Sequence, residues 1–264
     1  MQTPISHPSA RWLISPKHSP HTHPRLRLFC FPSAGGGPAQ YRPWMRTLPE
    51  IFELQLIQLP GREARLREPL MRRMPEIVTE IGQALLPMVD QPYAFFGHSM
   101  GALLAFEVAR WLRRTGAQEP VHLFVSGRRA PNQHDPDRMI HALDDAEFLR
   151  EIVARYNGIP QVILDDPELL QIFLPTLRAD LEVIETYQYA HEAPLHCALT
   201  AFAGFSDQRA SLHDLQNWRA QTTGAFRARQ FAGEHFYLQN QRDVLLAELL
   251  STLKNSTSAD QWPI

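Results

Sequence analysis

Only two cysteines, Cys30 and Cys197, occur among 264 residues. That is too few for a scaffold built on disulfides. Each lies in an apolar stretch, LRLFCFP and HCALTAF, and reads as a reduced thiol used as a small hydrophobe in a buried strand. A cytoplasmic location is the expectation that follows. An excess of either charge is missing too. Lys plus Arg number 26 against 28 Asp plus Glu, a net charge of -2, which argues against nucleic acid as a partner because no basic stripe is available. No apolar run approaches the roughly 18 residues of a membrane span. The first 25 residues, MQTPISHPSARWLISPKHSPHTHPR, contain no apolar core of the kind a secretory signal needs.

What is present has the composition of a globular chain, 44% hydrophobic and 20% charged, enough to bury a real core. Residues 1–24 are rich in Pro, His and Ser without a period and read as a loosely ordered lead-in. Their histidines (His7, His18, His21 and His23) are too irregularly spaced, between prolines, for a metal site. Residues 25–264 read as one α/β domain. LRLFCF (26–31), LQLIQL (54–59), YAFF (93–96), VHLFVS (121–126) and ALTAFA (198–203) are continuous apolar runs, as in parallel strands covered on both faces. FRARQF (226–231) is a more amphipathic strand, placed nearer an edge. Helical patterns alternate with them at 74–89, 101–116 and in QRDVLLAELLSTLKN at the end. That alternation predicts βαβ units and a mainly parallel sheet flanked by helices. The rhythm breaks between about 131 and 189. There DDAEFLREIVARY, DDPELLQIFL and PTLRADLEVIETYQY are three helical patterns with no convincing strand, and Asp166 with Pro167 forms an N-cap and N1 pair. The segment reads as an inserted helical lid, the plainer alternative being a long crossover.

One pentapeptide carries chemistry. GHSMG (97–101) fits G-x-S-x-G in the context the pattern demands, an apolar strand before it and a helix after it. Such a turn lifts a serine hydroxyl, here Ser99, to the N-terminal end of a helix, where the Met100 N–H faces any oxyanion. Serine needs a base. His235 in GEHFYL follows the last strand and precedes the last helix, on the sheet edge where Ser99 lies. His213, in a helical stretch, is the weaker rival, and the adjacent His98 is expected to orient or pack. A carboxylate should fix the base, and Asp207 follows its own strand in GFSD; Asp214 competes from a helical position. The order Ser99, Asp207, His235 is that of α/β-hydrolases. A second oxyanion donor is expected from the glycine-rich loop CFPSAGGG after the first strand.

Taken in order, FCFPSAGGG, LPGREARLREP, FFGHSMGALLAFEVA, FLPTLRADLEVIETY, GFSD and GEHFYL resemble the free-standing type II thioesterases of non-ribosomal peptide and polyketide pathways. The resemblance runs from about Trp12 to the final helix. It implies an α/β-hydrolase with a helical lid that hydrolyses acyl groups from the phosphopantetheine arm of carrier domains, clearing misprimed or stalled chains. Ser99 would be the nucleophile, His235 the base and Asp207 the acid, with the N–H groups of Ala34 and Met100 as the oxyanion hole. Acyl-loaded carrier domains are the implied partners. No cofactor or metal is implied, phosphopantetheine arriving with the substrate, and a monomer is expected. Relatives often carry two acids in the turn where this chain has Ser206 and Asp207, which leaves Asp207 the acid of that turn. Arg62 and Arg178 also match the pattern and read as ion-pair formers. Phe148, Ile152, Leu170, Phe173 and Leu177 in the lid would suit an acyl tail, or equally pack its helices together. Three alternatives stay open: a malonyl-type acyltransferase, although Ala102 stands where such enzymes carry an acid; a general carboxylesterase or medium-chain fatty acyl thioesterase; and a non-catalytic binding module.

Overall fold

The computed structural model describes residues 9–15, 24–133, 138–156 and 158–256. In chain order the elements are α1 (Ser9–Trp12), β1 (Leu13–Ile14), β2 (Leu26–Phe31), β3 (Phe52–Ile57), α2 (Met74–Leu85), β4 (Tyr93–His98), α3 (Met100–Arg114) and β5 (His122–Ser126). Then follow α4 (Asp145–Tyr156), α5 (Gln161–Leu164), α6 (Pro167–Glu185), β6 (Ala198–Gly204), α7 (Leu212–Gln216), β7 (Phe226–Phe231) and α8 (Arg242–Ser256). Among the described residues seven strands form one sheet in the order β1-β3-β2-β4-β5-β6-β7. Every pairing is parallel except that of β1 with β3. This is the α/β-hydrolase fold.

The apolar runs become strands because alternate residues feed two separate cores. Phe29, Phe31 and Phe95 face the side covered by α2 and α3. Leu28, Cys30, Ala94 and Phe96 face the other side, with Tyr41, Trp44 and α8. Cys30 and Cys197 are free and buried, and burial pushes the Cys197 thiol up to about 12. β7 does lie at an edge. Its Arg227 and Arg229 reach Glu248 of α8. No helix among the described residues is long and apolar enough to cross a membrane.

Two features differ from the sequence reading. Within the segment expected to be loosely ordered, α1 and β1 are regular, while residues 1–8 and 16–23, with the four histidines, lie outside the described residues. Trp12 and Leu13 are buried, Arg65 stacks over the Trp12 ring at 4.4 Å, and the Trp12 carbonyl accepts from Gln58 N–H. Two paired residues are too short to show a period. The second and third lid patterns are one helix, α6, which runs through Pro175. An interior proline forfeits one hydrogen bond and costs about 3 kcal/mol. Here Leu174, Leu177 and Leu181 on either side of it are buried with Ile140, Phe148 and Ile152 in a core of their own, and that burial offsets the loss. Asp166 caps α6 as expected, accepting from Glu168 and Leu169 N–H.

The strand order also positions the site. The chain passes from β2 outward to β3, then returns to place β4 on the other side of β2. At such a reversal the loops leaving two neighbouring strands diverge and open a crevice at their carboxyl ends. Here those are the loops after Phe31 and His98, and Phe31 pairs directly with Gly97.

Candidate active site

β4 ends at His98 and α3 begins at Met100, so Ser99 alone makes the turn. Its backbone sits at φ 56° and ψ −115°, a left-handed conformation that costs a non-glycine residue on the order of 1–3 kcal/mol. The Ser99 N–H is held by the Ser126 carbonyl at 2.7 Å. The flanking glycines serve packing rather than the turn. A Cβ on Gly97 would stand 2.0 Å from the Gly101 carbonyl oxygen, and one on Gly101 would stand 2.1 Å from that of Phe31. Their absence of side chains lets α3 cross β4 and β2 in near contact, while the strain is carried by the serine itself.

His235 lies in the loop leaving β7, and Asp207 in the turn leaving β6. The two loops lock together. Ser206 N–H donates to the Gly233 carbonyl at 2.9 Å, and a Cβ on Gly204 would meet the Glu234 carbonyl oxygen at 2.2 Å. Asp207 Oδ2 lies 3.0 Å from His235 Nδ1, and its Oδ1 accepts from Arg209 N–H at 2.9 Å. Both residues are buried. With Nδ1–H directed at the carboxylate, Nε2 is left as the basic nitrogen, and this buried Nε2 has no partner among the described residues. The ring is walled by Tyr156, Phe236 and His98, with centroids 5.2, 4.9 and 5.0 Å away. Gly127, at φ +60°, leaves room for both imidazoles, since a Cβ there would lie 2.6 Å from His98 Cε1 and 3.3 Å from His235 Cε1. His98 is fully buried; its Nδ1 meets Ser126 Oγ at 2.9 Å, which in turn meets the Tyr237 hydroxyl at 2.8 Å. Burial, and secondarily His235, hold the His98 pKa well below the usual imidazole range. The two rivals are elsewhere. His213 is exposed on α7, and Asp214 forms a capping box with Ser211 at the start of that helix.

The loop after β2 turns over Ser33–Gly36, closed by Gly36 N–H to the Ser33 carbonyl at 2.9 Å, with Gly35 at φ +71°. Of its amides, Ser33 N–H donates to Gln40 Oε1 at 3.2 Å and Gly35 N–H to Asp180 Oδ2 at 2.8 Å. The Ala34 N–H has no partner among the described residues, and neither has the Met100 N–H at the start of α3. Arg62 and Arg178 are indeed ion-paired. Arg62 holds Asp180 with both terminal nitrogens, at 2.5 and 2.8 Å, in a buried pair. Arg178 binds Asp145 at 2.6 Å and the carbonyls of His141 and Leu143.

Ser33, Ala34, Ser99 and His235 line one narrow cavity of about 40 Å³. The structure brings Ile152, Phe173 and Leu177 to it, but not Phe148 and Leu170. Phe148 is fully buried beneath the Arg178 guanidinium, 4.2 Å from its ring, and Leu170 packs against the same core of α4 and α6 side chains. Sequence reasoning missed Tyr156, Ile159, Leu181, Ile184 and Phe236 in the lining. Leu181 and Ile184 could have been found, because they follow Leu177 at i+4 and i+7 on one helix face. A wider cleft of about 620 Å³ shares Tyr156, Leu181 and Ile184 with the narrow cavity.

This arrangement can do acyl transfer: a hydroxyl at a helix N-terminus, an imidazole oriented by a carboxylate, and two unspent backbone donors around one cavity. The comparisons agree. The thioesterase domain family matches residues 26–256. The gramicidin S biosynthesis protein GrsT of Aneurinibacillus migulanus is 40% identical over 230 residues, 87% of this chain and 90% of its own. A protein of Brevibacillus parabrevis named linear gramicidin dehydrogenase LgrE is 42% identical over 249 residues, 93% and 94% of the two chains. Among solved structures, RedJ, a thioesterase from the prodiginine biosynthetic pathway in Streptomyces coelicolor, superposes with a TM-score of 0.80 at 41% identity, covering 89% of this chain and 90% of its own. The chain belongs to the thioesterase domain family.

Proposed function

We propose that the chain hydrolyses acyl groups from the phosphopantetheine arm of carrier domains in a non-ribosomal peptide or polyketide pathway, through an acyl intermediate on Ser99. The observation that carries this reading is the buried His235, tied through Nδ1 to Asp207 at 3.0 Å and sharing a cavity with Ser99. Ser99 Oγ attacks the thioester carbonyl while His235 Nε2 takes its proton. The oxyanion of the tetrahedral intermediate accepts from Ala34 and Met100 N–H. Collapse breaks the carbon–sulfur bond, and the thiolate of the arm leaves with the proton returned by His235. A water then repeats the sequence against the acyl-serine, His235 again taking and returning a proton, so that a free acid and the original serine result. Asp207 keeps the imidazole in the required tautomer and stabilises its charged form.

The helical insertion between β5 and β6, taken as 131–189, acts as the lid in this reading, and residues 25–264 act as one domain. Relatives are described as biosynthesis proteins and pathway thioesterases, which supports carrier domains as partners and a cytoplasmic site of action. The dehydrogenase activity in one relative's name has no counterpart in the loop after β2. There the glycines run Gly35-Gly36-Gly37-Pro38-Ala39-Gln40, with glutamine where a dinucleotide fingerprint needs its third glycine. The test is intact-mass measurement of carrier domains loaded with different acyl groups, before and after adding the protein. Loss of the acyl mass to water, abolished in Ser99→Ala, supports the reading. Transfer of the acyl group only when a second acceptor is supplied would establish the acyltransferase alternative instead.

A further inference from the structure

The buried ion pair of Arg62 and Asp180 also reaches the glycine turn after β2. Asp180, on α6, uses Oδ2 for both Arg62 Nη1 and Gly35 N–H, at 2.5 and 2.8 Å, and Oδ1 for Arg62 Nη2 at 2.8 Å. Arg62, in the loop after β3, also donates from Nη1 to the Gly36 carbonyl at 3.2 Å and from Nε to the Pro60 carbonyl at 3.3 Å. The pair thus grips the glycine turn at one N–H and one carbonyl. That turn in turn grips the Ser33 carbonyl through Gly36 N–H. The Ser33 carbonyl and the Ala34 N–H belong to one planar peptide group, so whatever holds the first aims the second.

We propose that Arg62 and Asp180 are positioning residues for thioester cleavage, clamping the Ser33–Gly36 turn so that the Ala34 N–H points at the developing oxyanion. This rests on the assignment of Ser99 as nucleophile under the function proposed above. The clamp also explains why Gly35 lies against α6, where a Cβ would come within 2.8 Å of the Phe173 ring. Asp180 draws its amide out of the hole and onto the helix, leaving Ala34 as the turn's donor to the substrate. Neither charged side chain lines the cavity that holds Ser99 and His235, and the pair acts through backbone geometry.

The experiment compares wild type with Asp180→Asn, which keeps shape but presents an amide to Arg62, and with the double variant Arg62→Met/Asp180→Leu. Apolar replacement of a whole buried ion pair commonly leaves a protein folded. The probes are an acyl-pantetheine thioester and an alkylboronic acid of the same chain length, which forms a tetrahedral adduct on Ser99. The clamp predicts a fall in kcat of about 10- to 100-fold in both variants, short of the loss of a whole oxyanion donor. Boronate affinity should fall in parallel, while KM, and thioester affinity measured in a Ser99→Ala background, change by less than about twofold. Full kcat in a folded double variant would overturn the proposal. So would equal losses in ground-state and boronate binding, or failure of both variants to fold, since either makes the pair purely structural. A wild type without Ser99-dependent turnover would instead refute the proposed function itself.

Discussion

Gly101→Ala tests the argument that the serine is held by close packing of α3 on the sheet. The new Cβ would stand 2.1 Å from the Phe31 carbonyl oxygen, 2.6 Å from its carbon and 2.7 Å from the Pro32 carbonyl oxygen. All three are backbone atoms, so no side-chain rotation relieves them, and α3 must back away from β2 by about 1 Å to restore ordinary contact. Overpacking of this kind costs about 1–3 kcal/mol, taken at the upper end because backbone must move. Alanine's better helix propensity returns about 1 kcal/mol. A net loss of about 2 kcal/mol lowers Tm by about 4–8 °C in a chain of this size. The effect on catalysis is larger. Phe31 leads into the turn bearing Ala34, and α3 carries Met100, so the displacement separates from each other the two N–H groups proposed as oxyanion donors. A misplacement of about 1 Å costs on the order of 100-fold in kcat/KM. The assay is thermal unfolding alongside thioester turnover, with Gly116→Ala as control. Gly116, unlike Gly101, has a left-handed backbone, φ +81°, and a Cβ there meets nothing within 4 Å. The control therefore loses about 1 kcal/mol to backbone strain and no activity. A Gly101→Ala protein as active as that control would refute the packing argument.

Asp207→Asn should fold normally and lose about 10⁴-fold in kcat, because an amide favours the wrong tautomer of His235; turnover and calorimetry measure the two effects. Acid should destabilise the fold through two buried imidazoles. Burial lowers the pKa of His122 to about 3 and that of His98 well below 6.5, so the unfolded chain takes up protons first, and stability, full above pH 6.5, falls as pH drops below it. Each imidazole contributes a slope of about 1 kcal/mol per pH unit, and denaturant titrations of His122→Phe between pH 7 and 5 should show one such contribution missing. Ile159→Trp puts an indole in the wall of the narrow cavity beside Ser99; kcat/KM for long acyl chains should fall about tenfold or more relative to acetyl, read by competition between two loaded carriers.

The three side chains assigned to chemistry were legible because each follows an apolar strand within a local pattern. Ser99 has its glycines, Asp207 ends GFSD, and His235 stands in GEHF. The structure adds a reason the motif alone did not disclose: the glycines admit a helix, and the strained residue is the serine. What stayed hidden was what distant segments do to each other. Arg62 and Asp180 are 118 positions apart, and nothing in either neighbourhood announces their shared hold on Gly35. β1 was missed because two residues have no period. α6 was divided because proline is read as a breaker, although burial of the leucines around Pro175 holds the helix together. Phe148 was indistinguishable by pattern from Phe173, since both are apolar helix residues of the segment between β5 and β6; only the guanidinium of Arg178 lying over the former decides which faces the core of α4 and α6 and which the cavity.

Those same contacts divide α6 into two working parts. From Phe173 onward it abuts Gly35, bonds Gly61 through Thr176 Oγ1 at 3.0 Å, and holds Arg62 and Gly35 through Asp180. Any displacement there moves the oxyanion turn with it. Before Pro175 the helix presents Leu169 and Ile172 to solvent, and the proline removes the hydrogen bond that would couple this turn to the next. The cavity of about 40 Å³ beside Ser99 shares Tyr156, Leu181 and Ile184 with the cleft of about 620 Å³, so an acyl chain that outgrows the first must enter the second or gain space by a shift of helices. Space gained by moving the C-terminal half of α6 would spoil the oxyanion donors. Space gained by moving α4, α5 and the first turns of α6 would not. Under the function proposed above, the surface that binds the reacting carbonyl is therefore separate from the surface that would yield to the tail, so that one hole of fixed geometry would serve acyl groups of different sizes.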